Sequence, residues 1–127
     1  MPITGLDHVQ VAAPGGSEDA ARRFYGELLE LEELPKPPAL AGRGGVWFAL
    51  GEHELHIGVA QKFVPAAKAH PGIAVSSPDE LDRLAARLEQ ADVEVTWADL
   101  NEIPGRLRFH VSDPFGNRLE LLAPAGQ

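Results

Sequence analysis

Residues 113–122 read DPFGNRLELL, a turn followed by an alternating strand. The first five positions are rich in the residue types that tight turns favour. In the strand, Leu119 and Leu121 fall on one face, because successive side chains alternate across a strand. Glu120 falls on the other face with Arg118. The stretch therefore predicts a strand with an apolar face and a carboxylate on the opposite face.

The elements around this strand occur in the same order in both halves of the chain. The best defined of them is the helix of the second half, where Ser77, Pro78 and Glu80 form a capping box with proline at the first helical position. In the first half, Ser17 is placed to cap the equivalent helix. Helices are predicted over 14–31 and 77–91, and strands over 3–13, 45–50, 54–60, 70–77, 93–98, 106–112 and 117–123.

This order predicts an α+β fold of two tandem β-α-β-β-β modules, in each of which a short strand follows the helix. We expect a single domain over 1–127, with module one at 1–60, a linker at 61–69 and module two at 70–124. The sheets of the two modules would curl into a cup-shaped mixed sheet.

Composition excludes several functions. The net charge is −8 and the longest basic cluster is the pair Arg22-Arg23, so neither nucleic acid nor an anionic membrane is expected as a partner. The chain has no cysteine, which removes disulfides, thiolate metal sites and cysteine nucleophiles. The N-terminal residues lack the features of a signal peptide, and a cytoplasmic protein is predicted.

Overlaying the two halves aligns four residues of the kind that bind metals. His8 aligns with His70 in the first strands, and His56 aligns with Glu120 in the last strands. Strand alternation puts all four on the face away from the helices. A single histidine in a strand is ordinary. Four potential ligands at two pairs of equivalent positions in a duplicated unit, however, predict a shared polar site.

The segments LDHVQVAAP, ARRFYGELLELEE, ELHIGV, AHPGIAV and DPFGNRLELL resemble the vicinal oxygen chelate superfamily. This group includes glyoxalase I, extradiol dioxygenases, fosfomycin-resistance thiol transferases and bleomycin-binding proteins. The resemblance implies the glyoxalase/bleomycin-resistance/dioxygenase fold, a divalent metal and a homodimer. His8 and Glu120 fall where the family places metal ligands.

The resemblance implies a ligand set of His8, His70 and Glu120, with His56 as a fourth ligand or a general base. Two histidines and one carboxylate suit Fe²⁺ oxygenases, and Mn²⁺, Zn²⁺ or Ni²⁺ are alternatives. Glyoxalase I resemblance would call for a glutamate at the position of His56. Extradiol dioxygenases carry an acid–base histidine there, and they carry a tyrosine where this chain has His110, so both histidines are predicted to be catalytic.

Four further residues are predicted to bind substrate. Trp47 has the opposite strand parity from its apolar neighbours and could stack on an aromatic substrate, or lie in a dimer contact. Gln10, Arg108 and Arg118 share the parity of the candidate ligands, and the arginines could pair a substrate anion or remain solvated. The glycine-rich residues 42–45 are predicted to form a turn.

The function predicted from sequence is a metal-dependent enzyme that acts on a small molecule with chelating vicinal oxygens. Extradiol-type dioxygenation is slightly favoured over a glyoxalase I-like lyase or isomerase reaction. A non-catalytic bleomycin-type resistance protein that sequesters a drug is the alternative from another class. The sequence leaves open whether the modules pair within one chain or are exchanged between two.

Overall fold

A computed structural model describes residues 1–126, so Gln127, the last residue of the predicted domain, lies outside the described part. The chain divides into two compact units, Met1–Pro65 and Ala66–Gln127. The division falls within residues 61–69. No helix among the described residues is long and apolar enough to cross a membrane.

The first unit contains a four-stranded sheet with the order β1-β4-β3-β2. Its strands are β1 (His8–Ala13), β2 (Glu33–Leu34), β3 (Val46–Leu50) and β4 (His53–Val59). β1 and β4 are parallel, whereas β4 pairs with β3 and β3 with β2 in antiparallel fashion. Phe48, Leu55 and Ile57 are almost fully buried and form part of the core of this unit.

The helix of the first unit differs from its prediction. It is α-helical only over Glu18–Ala21, which we call α1, and continues as a π-helix over Arg22–Leu28. The Ser17 side chain makes no cap hydrogen bond, and within residues 1–126 its buried Oγ has no hydrogen-bond partner. The prediction that Ser17 caps this helix is therefore wrong. Its backbone carbonyl does accept a hydrogen bond from the N–H of Ala21.

Of residues 42–45, which were predicted to form a turn, the first two are the end of a 3₁₀ helix at Pro38–Arg43, and only Gly44 and Gly45 lie between this helix and β3. Gly44 and Gly45 both have positive φ. A Cβ at Gly45 would lie 2.1 Å from the carbonyl oxygen of Ile57, so the close approach of the two backbones requires glycine here.

The second unit repeats the plan of the first, with the strand order β5-β8-β7-β6. Helix α2 begins after Ser77, whose side chain accepts a hydrogen bond from the N–H of Glu80, as predicted. Its apolar stripe of Leu81, Leu84, Ala85 and Leu88 is buried. The elements are β5 (Gly72–Ala74), α2 (Pro78–Gln90), β6 (Thr96–Trp97), β7 (Arg106–Ser112) and β8 (Arg118–Pro124).

The strand registers confirm the internal repeat. His56 pairs with Gln10, two residues after His8, and Glu120 pairs with Gly72, two residues after His70. However, β5 begins at Gly72, so the prediction that His70 lies within this strand is wrong. The fold class of two tandem β-α-β-β-β modules is confirmed.

The registers also align two positions that the sequence overlay did not compare. Trp47 pairs with His56 across β3 and β4, and His110 pairs with Glu120 across β7 and β8. Trp47 and His110 therefore occupy equivalent positions, so the first unit has an indole where the second unit has an imidazole. This difference in residue type makes the surroundings of His56 chemically different from those of Glu120.

Candidate metal centre

Three residues of the second unit form a group that can hold a metal ion. One ligand atom each from His70, His110 and Glu120 lie within 4.8 Å of one another. The Nε2 atom of His110 lies 2.9 Å from Oε1 of Glu120, and Nε2 of His70 lies 3.3 Å from the same oxygen. Glu120 is buried on β8, whereas His70 precedes β5 and is more exposed.

Arg108 is the third side chain that reaches this carboxylate. Its Nη1 donates to Oε1 of Glu120 at 3.3 Å, and its Nη2 lies 3.7 Å from a carboxylate oxygen of the exposed Glu102. Arg108 itself is buried. The predicted substrate-binding arginine therefore lies where it compensates the charge of Glu120.

The environment of Glu120 favours its charged form. Burial raises the pKa of this carboxyl, but the hydrogen bond from His110, the charges of Arg108 and His110 and the hydrogen bond from His70 outweigh it. The net effect is a pKa below the usual value for glutamate. Glu120 is therefore an anion at neutral pH, the form that binds a metal.

The orientation of His70 suits a metal ligand. Its Nδ1 donates to the carbonyl oxygen of Lys68 at 2.9 Å, and this carbonyl can only accept. Nε2, which faces Glu120, is then the nitrogen that can bind a metal ion.

The donor set fits a divalent ion. Two imidazole nitrogens and a carboxylate oxygen are ligands used by Fe²⁺, Mn²⁺, Zn²⁺ and Ni²⁺ sites. Ligands bound at usual distances and at tetrahedral or octahedral angles lie about 2.9–3.6 Å apart. The separations of 2.9 and 3.3 Å around Glu120 Oε1 match that range.

In the first unit, His56 is held in a stack. Its ring lies parallel to the Trp47 indole with centroids 3.8 Å apart, and the His8 ring stacks on it at 4.3 Å. Nε2 of His56 lies 2.9 Å from a carboxylate oxygen of Glu54. His56 is 6% exposed, so its ring is fixed on its faces and at one nitrogen.

His8 is oriented by a neighbouring carboxylate as well. Its Nδ1 lies 2.8 Å from Oδ1 of Asp7, while the side chain is 45% exposed. A carboxylate at one nitrogen of a histidine leaves the other nitrogen available to an ion, an arrangement common around metal-bound histidines. Sequence reasoning did not assign Asp7 or Glu54 to these rings, although each lies within two positions of the histidine it contacts.

The predicted site residues thus fall into two groups, one in each unit. His8, Gln10, Trp47 and His56 belong to the first, and His70, Arg108, His110 and Glu120 belong to the second. Gln10 and Trp47 line a pocket of about 240 Å³ in the first unit. Arg118 is exposed at the first position of β8. The assignment of His8 as a ligand stays a prediction.

His110 is the residue whose surroundings sequence reasoning missed. It was predicted as an acid–base group, but the structure places it in the group of possible ligands. The available signal was the register of the β7–β8 hairpin, which puts His110 directly opposite Glu120.

The chain belongs to the Glyoxalase/Bleomycin resistance protein/Dioxygenase superfamily, whose family profile matches residues 5–121. A glyoxalase family protein from Bacillus anthracis is 48% identical, with a TM-score of 0.89 and 97% of both chains covered. No match was found among curated proteins.

Two more distant structures share the fold. The lactoylglutathione lyase from Agrobacterium tumefaciens is 22% identical, with a TM-score of 0.72 and coverage of 97% of this chain and 96% of that one. A variant of the fosfomycin resistance protein FosX from Listeria monocytogenes is 17% identical, with a TM-score of 0.77 and coverage of 97% and 94%. It was crystallised with Mn(II) and 1S,2S-dihydroxypropylphosphonic acid.

Proposed function

We propose that this protein is a divalent-metal-dependent enzyme that acts on a small molecule with two adjacent oxygen atoms. The proposal rests mainly on His70, His110 and Glu120, whose ligand atoms lie close enough together to hold one metal ion. Membership of the superfamily supports it as well. When bound, the ion would act as a Lewis acid: both oxygens would coordinate it, and it would stabilise negative charge on them. The Mn(II) complex of FosX supports manganese as one candidate, beside iron, zinc and nickel.

His70 and Glu120 are the ligands on which the sequence and the geometry of the second unit agree. The sequence assigns His8 as the third ligand, and the second unit offers His110. Arg108 is a positioning residue under either assignment, because its guanidinium holds the Glu120 oxygen that faces both histidines. The variants described below decide between His8 and His110.

His56 is proposed as a general acid–base rather than a fourth ligand. Glu54 holds its Nε2 and two rings cover its faces, so Nδ1 is the nitrogen left to exchange a proton with a substrate. A two-histidine, one-carboxylate set leaves coordination positions for a substrate and dioxygen. Together these features favour extradiol-type dioxygenation as the reaction.

Metal content per chain after anaerobic purification tests this function. The variants are His8→Ala, His56→Ala and His110→Ala, and His53→Ala serves as the matched control because His53 is exposed. We expect near-stoichiometric metal in the wild type, in His56→Ala and in His53→Ala. If His8→Ala lacks metal and His110→Ala retains it, His8 is the third ligand. The opposite result would identify His110.

The identity of the metal directs the activity assays. Iron together with oxygen uptake in the presence of catechols would support dioxygenation, whereas zinc or nickel with isomerisation of a hemithioacetal would replace it with glyoxalase-like chemistry. A wild-type protein that stays empty after exposure to each of the four metals would overturn the enzyme proposal in favour of a drug-binding protein. The homodimer and the cytoplasmic location stay predictions.

A further inference from the structure

The first unit contains a pocket of about 240 Å³ whose lining is unusual for so acidic a chain. Two of the lining side chains, Lys36 and Arg43, are cations. Gln10 adds an amide, Trp47 adds an aromatic surface and Gly58 exposes backbone. The proposed metal chemistry makes no use of Lys36 or Arg43.

Neither cation is neutralised by a carboxylate in the described part of the chain. Within residues 1–126, no ion pair involves Lys36 or Arg43, whereas Arg22 pairs with Asp19 and Glu33, and Arg23 pairs with Glu27. The ammonium group of Lys36 donates to the carbonyl oxygen of Gly44, a neutral acceptor.

One carboxylate, that of Glu18, approaches this loop and is hydrogen-bonded to its backbone. Glu18 accepts a hydrogen bond from the N–H of Gly45 at 3.0 Å and does not line the pocket. Two positive charges therefore border one cavity, and a cavity with charges of one sign attracts a ligand of the other.

Gln10 and Trp47 form two further walls of the pocket. The Gln10 side chain lies over Gly58, and a Cβ added at Gly58 would come within 2.9 Å of the Gln10 amide carbon. The parallel contact with His56 fixes the Trp47 ring. The pocket thus offers a cationic border, an amide and an immobile aromatic surface, a combination that fits an anion carrying an apolar ring.

We propose that this pocket binds a small aromatic carboxylate, with its anionic group at Lys36 and Arg43 and its ring against Trp47. The planar guanidinium of Arg43 matches the geometry of a carboxylate. The volume lies below the range of about 300–1,000 Å³ that holds drug-sized ligands, so a single-ring acid is the expected size. The binding uses side chains of the first unit alone and does not depend on a metal.

The test is a titration with benzoate, followed through the fluorescence of Trp47. The chain has two tryptophans, so Trp97→Phe leaves Trp47 as the reporter. Trp97 is 46% exposed, and phenylalanine keeps an aromatic ring beside Phe109. EDTA is present throughout, so the outcome is independent of whether the protein holds a metal ion.

We expect saturable quenching by benzoate and none by benzamide, its neutral analogue. Arg43→Gln should weaken benzoate binding by about tenfold or more, because it removes a charge-assisted contact. Lys36→Gln should weaken it in the same direction. The control Lys62→Gln removes an exposed positive charge that does not line the pocket and should leave binding unchanged.

Three results would overturn the proposal. The first is the absence of benzoate binding. The second is equal binding of benzamide, which would show that charge plays no part. The third is an equal affinity of Arg43→Gln and Lys62→Gln for benzoate. Loss of metal in the variants of the proposed metal centre would affect none of these measurements.

Discussion

Glu120→Gln removes the charge on which three donors of the second unit converge. His110 contacts Oε1 of Glu120 at 2.9 Å, and His70 and Arg108 contact it at 3.3 Å. A glutamine oxygen can still accept hydrogen bonds, but each loses its charge assistance, and Arg108 stays buried without its main counter-charge. We expect the variant to lower the free energy of unfolding of the metal-free protein by about 2–4 kcal/mol at pH 7.

The pH dependence of this difference follows from the lowered pKa of Glu120. The ionised carboxyl stabilises the fold fully at a pH above the pKa of a glutamate side chain in the unfolded protein, about 4.3. Below that value the unfolded state gains a proton first, so the stabilisation is lost as the pH falls through the lower pKa of the folded state. The difference between wild type and Glu120→Gln should therefore shrink as the pH falls below about 4.3.

Urea unfolding followed by far-ultraviolet circular dichroism in EDTA measures this difference. Glu94→Gln is the matched control, because Glu94 is exposed, and it should lie within about 0.5 kcal/mol of the wild type. A Glu120→Gln variant as stable as the wild type at pH 7, or a difference that grows as the pH falls below about 4.3, would contradict this role of Glu120.

Three further variants test the fold by urea unfolding. Ser77→Ala should cost about 1 kcal/mol, because it removes the side-chain acceptor at the start of α2; no loss would contradict this cap. Gly45→Ala should lower the free energy of unfolding several times more than the control Gly42→Ala. The new Cβ at position 45 would meet the Ile57 carbonyl, whereas nothing lies within 4 Å of a Cβ at position 42. Equal stabilities of the two variants would disprove the close approach at Gly45. Leu88→Ala should cost about 2–5 kcal/mol, because Leu88 is fully buried; a cost below about 1 kcal/mol would mean that its surroundings are not packed as described.

The sequence predicted the repeat and its main strands because these depend on local patterns. Alternation in residues 106–112 predicted β7 with the bounds that the structure shows. The cap at Ser77 was predictable because both partners lie within one turn of helix. Ser17 carries the same type of signal, yet its hydroxyl is buried and has no hydrogen-bond partner within residues 1–126, so a residue type favoured at helix starts does not by itself predict that a cap forms.

The candidate site was predictable residue by residue but not in its contacts. Strand parity placed Glu120 opposite the core leucines, and the overlay of the halves selected His70. The contact of His110 with Glu120 depends on the register of a hairpin, which a one-residue shift would abolish. The stack of Trp47 on His56 depends on side-chain conformations, which no periodicity reports.

His70 and Glu120 are the residues that we propose hold a divalent ion. Calorimetric titration of the metal-free protein with Fe²⁺ under anaerobic conditions, and with Mn²⁺, Zn²⁺ and Ni²⁺, measures this binding. We predict that the wild type binds one ion per chain for at least one of these metals and that Glu120→Gln binds it at least about tenfold more weakly. Failure of the wild type to bind any of the four, or unchanged affinity in Glu120→Gln, would contradict the claim.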